Sequence, residues 1–177
     1  MTLSDYLLQL NQSLSDLFPV GRVYGRLKVE TVKGIGKPDQ IDKDRPRRLP
    51  LTYDTAKRSN LPVLPDEVAG GLLFGITTGP GKPQPYEPGA TTLFMEYPVA
   101  LIGWYDTTKG QPTDWVIEQL QIRLAAQYPL VITGVEDQQA ANVFRGIDYD
   151  FQNHPYLMHP FAGVRVDCLI TLPVTNC

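Results

Sequence analysis

Along this chain, apolar residues recur with changing period, and the changes mark the elements. Leu3, Tyr6, Leu7, Leu10, Leu14 and Leu17 fall at helical spacing, and Thr2 with Asp5 forms a capping-box pattern ahead of them. Pro19 to Gly21 closes the run, which predicts an amphipathic helix over residues 3–18. "GRVYGRLKVETVKGI" then alternates as a strand does, with Val23, Leu27 and Val29 as its inward positions. From Gly34 to Glu67 the pattern breaks down into "GIGKPDQIDKDRPRRLPLTYDTAKRSNLPVLPDE", with five prolines and no sustained period. That segment reads as a long extended loop or arm, and a loop of this length in a compact domain is usually functional or disordered.

The short apolar run "GGLLFGITT" and the longer "TTLFMEYPVALIGWY" read as two strands joined by a glycine- and proline-rich connection. Pro98 inside the second strand predicts an edge position or a bulge, because proline donates no ladder hydrogen bond. A second helix is expected from about Thr113 to Tyr128, stopped by Pro129. On it, Ile117, Leu120, Leu124 and Tyr128 form one stripe, while Trp115, Ile122 and Ala126 form another almost opposite. A helix apolar on opposing faces is covered on both sides, and a neighbouring subunit or the long loop could supply the second cover. "PLVITGV" reads as a short strand and "EDQQAAN" as a helical turn. "VFRGIDYDF", with Ile147, Tyr149 and Phe151 on one side, is expected to pair through the hairpin loop "QNHPYLMHP" with "FAGVRVDCLITLP". In this last strand Val164, Val166, Cys168, Ile170 and Leu172 face one way and Arg165, Asp167 and Thr171 the other. The expected fold is α+β: a mainly antiparallel sheet packed by an N-terminal and a central helix, in a single domain over residues 1–177.

Composition changes this picture little. Glycine and proline together make up 31 of 177 residues, above the usual share of about 12 per cent, which fits extensive irregular connections. Two cysteines do not make a disulfide framework, and "MTLSDYLLQLNQSLSDLF" lacks the basic start of a signal peptide. No apolar run approaches the roughly 20 residues that cross a bilayer, so a soluble protein made inside the cell is expected. Charge matters more. Residues 1–58 hold eleven Lys/Arg and seven Asp/Glu, net +4, whereas residues 59–177 hold five and twelve, net -7. Such segregation suits a protein whose basic part docks on the acidic part of another copy.

Candidate chemistry is sparse. "FGITTGPGKPQPYEPG" resembles a phosphate-binding loop, but five residues rather than four separate Gly75 from Gly81, and Pro83 follows Lys82 where a Walker loop carries Ser or Thr. Proline there also removes an amide that would point at the anion, so the nucleotide reading fails. His154 and His159, with Asp148 and Asp150 nearby, could hold a divalent metal, and a metal-dependent hydrolase or ligand-binding domain is the alternative function. The five-residue histidine spacing matches no common zinc pattern, and a proline after each histidine is ordinary turn chemistry. No G-x-S-x-G elbow is present, and Cys168 lies on the apolar side of its strand as a structural cysteine would. No enzymatic activity and no cofactor are expected. Arg45, Arg47, Arg48, Lys57 and Arg58 of the arm could contact nucleic-acid phosphates, but Tyr53 alone offers a base partner and no recognition module accompanies it.

The layout carried by "SDYLLQLNQSLSDLF", "DWVIEQLQIRLAAQYP" and "AGVRVDCLITLP" resembles that of the ring-forming proteins at the head-to-tail junction of tailed bacteriophages, the tail-terminator and tail-completion group. That resemblance implies a non-enzymatic virion protein, made in the host cytoplasm. It would form a ring, commonly a hexamer, that caps the tail tube and joins it to the head connector. In such a ring Trp115, Ile122 and Ala126 would supply an intersubunit patch. Arg45, Arg47, Arg48, Lys57 and Arg58 would grip acidic surfaces of a neighbour. The long proline-rich loop and the segment from Gly79 to Gly89 depart from the family's usual pattern.

Overall fold

The computed structural model describes residues 1–33, 45–66, 68, 70–86, 88–137, 139–151 and 159–174. Its first element, α1 (Leu3–Leu14), starts where the sequence signals it. The Asp5 amide donates to Thr2 Oγ1 at 3.2 Å and the Thr2 amide to Asp5 Oδ2 at 3.1 Å, a closed capping box. The Thr2 hydroxyl, which donates to Asp5 Oδ2 at 2.7 Å, and secondly the Thr2 amide hold the Asp5 carboxyl below the usual carboxylate range. The helix buries Leu3, Leu7, Leu10 and Leu14, then gives way to a turn in which Leu17 and Phe18 are also buried. Asn11, fully buried, donates to the Tyr24 carbonyl at 2.6 Å and so ties α1 to the following strand. At Gly25 the two run so close that a Cβ would lie 2.9 Å from the Ser4 carbonyl oxygen, so only glycine fits.

The strands are β1 (Val20–Val32), β2 (Arg47–Asp54), β3 (Ser59–Pro62), β4 (Gly71–Thr77), β5 (Lys82–Pro83), β6 (Leu93–Asp106), β7 (Leu130–Glu136) and β8 (Phe161–Val174). Between them lie α2 (Thr113–Ala125) and the short α3 (Ala140–Val143). The fold is α+β, with one mostly antiparallel mixed sheet ordered β3-β2-β1-β4-β6-β8-β7 and β5 paired to β6. Only β1 and β4 run parallel among these pairs.

Two cores lie on opposite faces. The first joins α1 and α2 to Leu73, Leu101 and Tyr105 and to the Val164, Val166, Cys168, Ile170 and Leu172 row of β8. The second gathers Phe74, Ile102, Trp104 and Phe161 under Val143, Phe144, Ile147 and Tyr149, with Leu49 and Val63 at its margin. Trp104 and Phe161 stack with ring centres 4.0 Å apart. Burial on both faces explains why β4 and the end of β6 read as unbroken apolar runs.

Several expectations are corrected by this arrangement. β1 contains irregularities between Val20 and Arg22 and between Val23 and Arg26, so Val23 pairs with Leu73 of the first core but Leu27 with Ile76 of the second. Pro98 sits not on an edge but inside β6, the most connected strand. Its carbonyl accepts from the Thr78 amide at 3.0 Å, so its missing N–H would face the gap where β4 has ended and β5 has not begun. Part of the supposed arm, residues 47–62, is a β-hairpin. Residues 47–51 pair with β1, whereas residues 52–61 pair only with each other and so project past the sheet. Nor does 144–151 form a strand beside β8, whose neighbours are β6 and β7. It crosses the second face as an irregular cover, held by a T-shaped Phe144–Tyr149 contact and a bond from the buried Tyr149 hydroxyl to the Val63 carbonyl at 2.9 Å. Burial pushes the ionisation of that hydroxyl far above the tyrosine range.

Arg165, on the face of β8 opposite the Val164–Leu172 row, is only 2% exposed because this cover lies over it. Its guanidinium donates to Asp167 Oδ1 at 2.9 Å and to the Arg145 and Val143 carbonyls at 3.1 and 3.5 Å. A buried, permanently charged group whose donors are met by one carboxylate and two carbonyls fastens the 143–145 turn to β8. Arg165→Met should cost about 3 kcal/mol of stability, since it leaves the partners unpaired. Arg145→Ala, which removes an exposed partner of the same Asp167, should cost less than about 1 kcal/mol. Urea denaturation compares them, and equal losses would show that the Arg165 guanidinium is not the fastening.

Candidate functional site

The histidine and carboxylate candidates do not converge in what is described. His154 lies outside the described residues, and His159 is exposed in the turn before β8. Asp148 Oδ2 accepts the Arg48 amide at 2.8 Å, and Asp150 Oδ2 accepts from the Arg47 guanidinium at 3.3 Å. Both carboxylates thereby join the 144–151 cover to the start of β2, a structural task. Cys168 faces the first core, on the other side of the sheet, and burial pushes its thiol up to about 12, with the nearby Asp167 charge adding to the effect. No group of three or more His, Cys, Asp and Glu side chains suited to a metal occurs among the described residues.

Two concavities stand out among the described residues. A cleft of about 590 Å³ lies between β2 and the cover, walled by Arg45, Arg47, Phe144, Arg145, Asp148 and Phe151. Two of its three arginines are already engaged, Arg47 by Asp150 and Arg145 by Asp167 at 2.9 Å. A groove of about 500 Å³, mostly apolar, runs between α1 and the turn after α2, lined by Tyr6, Leu10, Phe94, Tyr128 and Leu172. Neither gathers a nucleophile, a base and an oxyanion donor.

Surfaces are more informative. α2 buries Val116, Leu120 and Leu124 against the first core and is anchored to the turn after α1 by Arg123, whose guanidinium takes both Asp16 oxygens at 2.6 and 2.9 Å. At 100° per residue the side turned away carries Asp114, Trp115, Glu118 and Ile122 together. Trp115 is 40% exposed and Ile122 57%; Ala126, just past the helix end, is exposed as well. Tyr128, read from sequence as part of the buried stripe, is 93% exposed, because the helix has already ended and the chain turns before Pro129. The buried stripe starts at Val116 rather than Ile117 and is centred on Leu120.

The arm residues divide into two groups. Arg47 and Arg48 belong to the base of the hairpin and are tied to the cover, while Arg45 precedes it and is exposed. Lys57 and Arg58 stand exposed in the turn at the tip, and neither side chain is in an ion pair among the described residues. That turn is ordered by its own backbone chemistry: Asp54 Oδ1 accepts the Ala56 and Lys57 amides at 2.9 and 3.1 Å, and Arg58 adopts the left-handed region at φ 49°. Tyr53, beside it, is 61% exposed. Sequence reasoning singled out the cations and the apolar stripe but missed Asp114 and Glu118, although their spacing of four on a helix with Trp115 between them was the available signal.

In a Cys177→Ser background, Cys168 should resist a thiol reagent at pH 8 while the protein is folded and react at once in denaturant. Labelling of the folded protein at the unfolded rate would mean that the α1–α2 core is open. The raised thiol also favours the folded state only while it stays protonated, so that contribution falls as pH rises past the ordinary thiol range. Elemental analysis of the purified protein should find no stoichiometric zinc or manganese, and a molar equivalent of either would restore the histidine site. Comparison with protein families, with curated proteins and with solved structures returned no match.

Proposed function

We propose that this chain is a non-enzymatic structural subunit of a phage-like neck or tail end, building a ring of copies that terminates the tail tube and joins it to the head connector. The observation that carries the reading is the second apolar face of α2. A well-anchored helix, one side in the core, turns Trp115 and Ile122 to the surface side by side. Large apolar side chains paired on a rigid element are what a protein interface uses as anchors, with aromatic residues most often at its centre. The projecting hairpin adds a second presentable surface, distinct from the first. Two different surfaces on one subunit support a heterologous contact, the kind that closes into a ring. The bonds of Asp148 and Asp150 to the base of β2 further favour a structural over a hydrolytic use of those carboxylates. No helix among the described residues is long and apolar enough to cross a membrane. The ring would reside in the virion after synthesis in the host cytoplasm, with tail-tube and connector proteins as its neighbours.

Light scattering across a concentration series should show a defined closed oligomer, or a monomer that becomes one when tail-tube protein is added. Trp115→Asp with Ile122→Asp should leave a folded monomer of unchanged thermal stability. A wild-type protein that stays monomeric under every condition would overturn the proposal.

A further inference from the structure

Resting on the ring reading above, we infer that the tip of the β2–β3 hairpin of one copy docks on the outward face of α2 of a second copy, Lys57 and Arg58 meeting Asp114 and Glu118 around an apolar centre of Tyr53, Trp115 and Ile122. The charges match. The tip offers two exposed cations without an acidic partner among the described residues, on a turn whose conformation is set by Asp54 and by the left-handed Arg58. The α2 face offers two exposed carboxylates one helical turn apart, neither in an ion pair among the described residues. Like charges at that spacing repel each other, a cost that an approaching cation removes.

Topology makes the occupant a second copy rather than the same one. The hairpin occupies the β3 edge of the sheet, whereas α2 packs on β7 and β8 at the other edge. Five strand spacings separate β2 from β7, roughly 24 Å. The two also belong to opposite faces, since Leu49 and Val63 at the hairpin's base join the second core and α2 the first. A hairpin therefore cannot return to its own α2. A donor surface at one edge and its complement at the other is the arrangement that propagates head to tail until rotation closes the ring. The same contact draws on the segregation of charge along the chain, net +4 through residue 58 and net -7 after it.

The test is charge exchange. One variant carries Lys57→Glu and Arg58→Glu, the other Asp114→Lys and Glu118→Lys; all four sites are exposed, and circular dichroism with thermal melting verifies that each variant folds. Light scattering should show each variant alone requiring at least about tenfold more protein to assemble than wild type. An equimolar mixture should recover wild-type assembly, because alternating the two restores opposite charges at every junction of an even-numbered ring. Variants that assemble as wild type does, or a mixture that stays as defective as its components, would overturn this docking while leaving the ring itself standing. A wild-type protein that never assembles would remove both.

Discussion

Everything in this fold follows from a sheet that is apolar on both faces. β4, β6 and β8 send Leu73, Leu101 and Val166 one way and Phe74, Ile102 and Phe161 the other, so neither face can be left to water. One face is solved by regular structure, α1 and α2 lying over it. The other is covered by a hairpin base and an irregular segment, which cannot satisfy its own backbone as a helix does. Arg165 supplies what is missing: a buried cation that accepts none and donates to Asp167 and to two carbonyls of the turn above. The charge is tolerable there because every close acceptor is already aimed at it.

The same economy shapes the places where prolines and glycines enter the sheet. Pro50 and Pro98 both lie within strands, yet each carbonyl is bonded on the side where a proline nitrogen does no harm, to the Val63 and Thr78 amides. Gly81 lies so close to the Tyr97 ring that a Cβ would come within 2.6 Å of it, which lets the β4–β6 connection fold back along β6 as β5. The glycine- and proline-rich segment that resembles a phosphate loop is therefore a strand connection, and its composition serves close packing against an aromatic ring.

Function, on this view, is placed where the fold has no further use for the side chains. The α2 face opposite the core and the hairpin tip beyond Leu51 contribute little to the folded chain, and each carries chemistry that a solitary subunit leaves unused. The carboxylates near the histidines are in the opposite position, already employed in holding the cover to β2. Among the described residues, Asp148 and Asp150 have structural partners, whereas Lys57, Arg58, Asp114 and Glu118 stand exposed outside any ion pair.

Local patterns were enough to establish the α1 cap and stripe, the approximate extents of β1, β4, β6, β7 and β8, the inward row of β8 and the two-sided character of α2, because each depends on neighbours within a few residues. What they could not convey was which partner each strand takes. The hairpin at 47–62 looked like loop because its prolines and charges mask the alternation, and only its pairing with β1 reveals it. Residues 144–151 alternated as a strand would, but the place beside β8 was taken by β7, so the same alternation buries Ile147 and Tyr149 from a crossing segment instead. The cover over Arg165 was hidden for the same reason: a period of two states that two sides differ and is silent on what covers each. Sequence alone determined the elements and the chemical character of their faces, since these are local properties; tertiary structure decided which faces are covered, since that depends on residues distant along the chain.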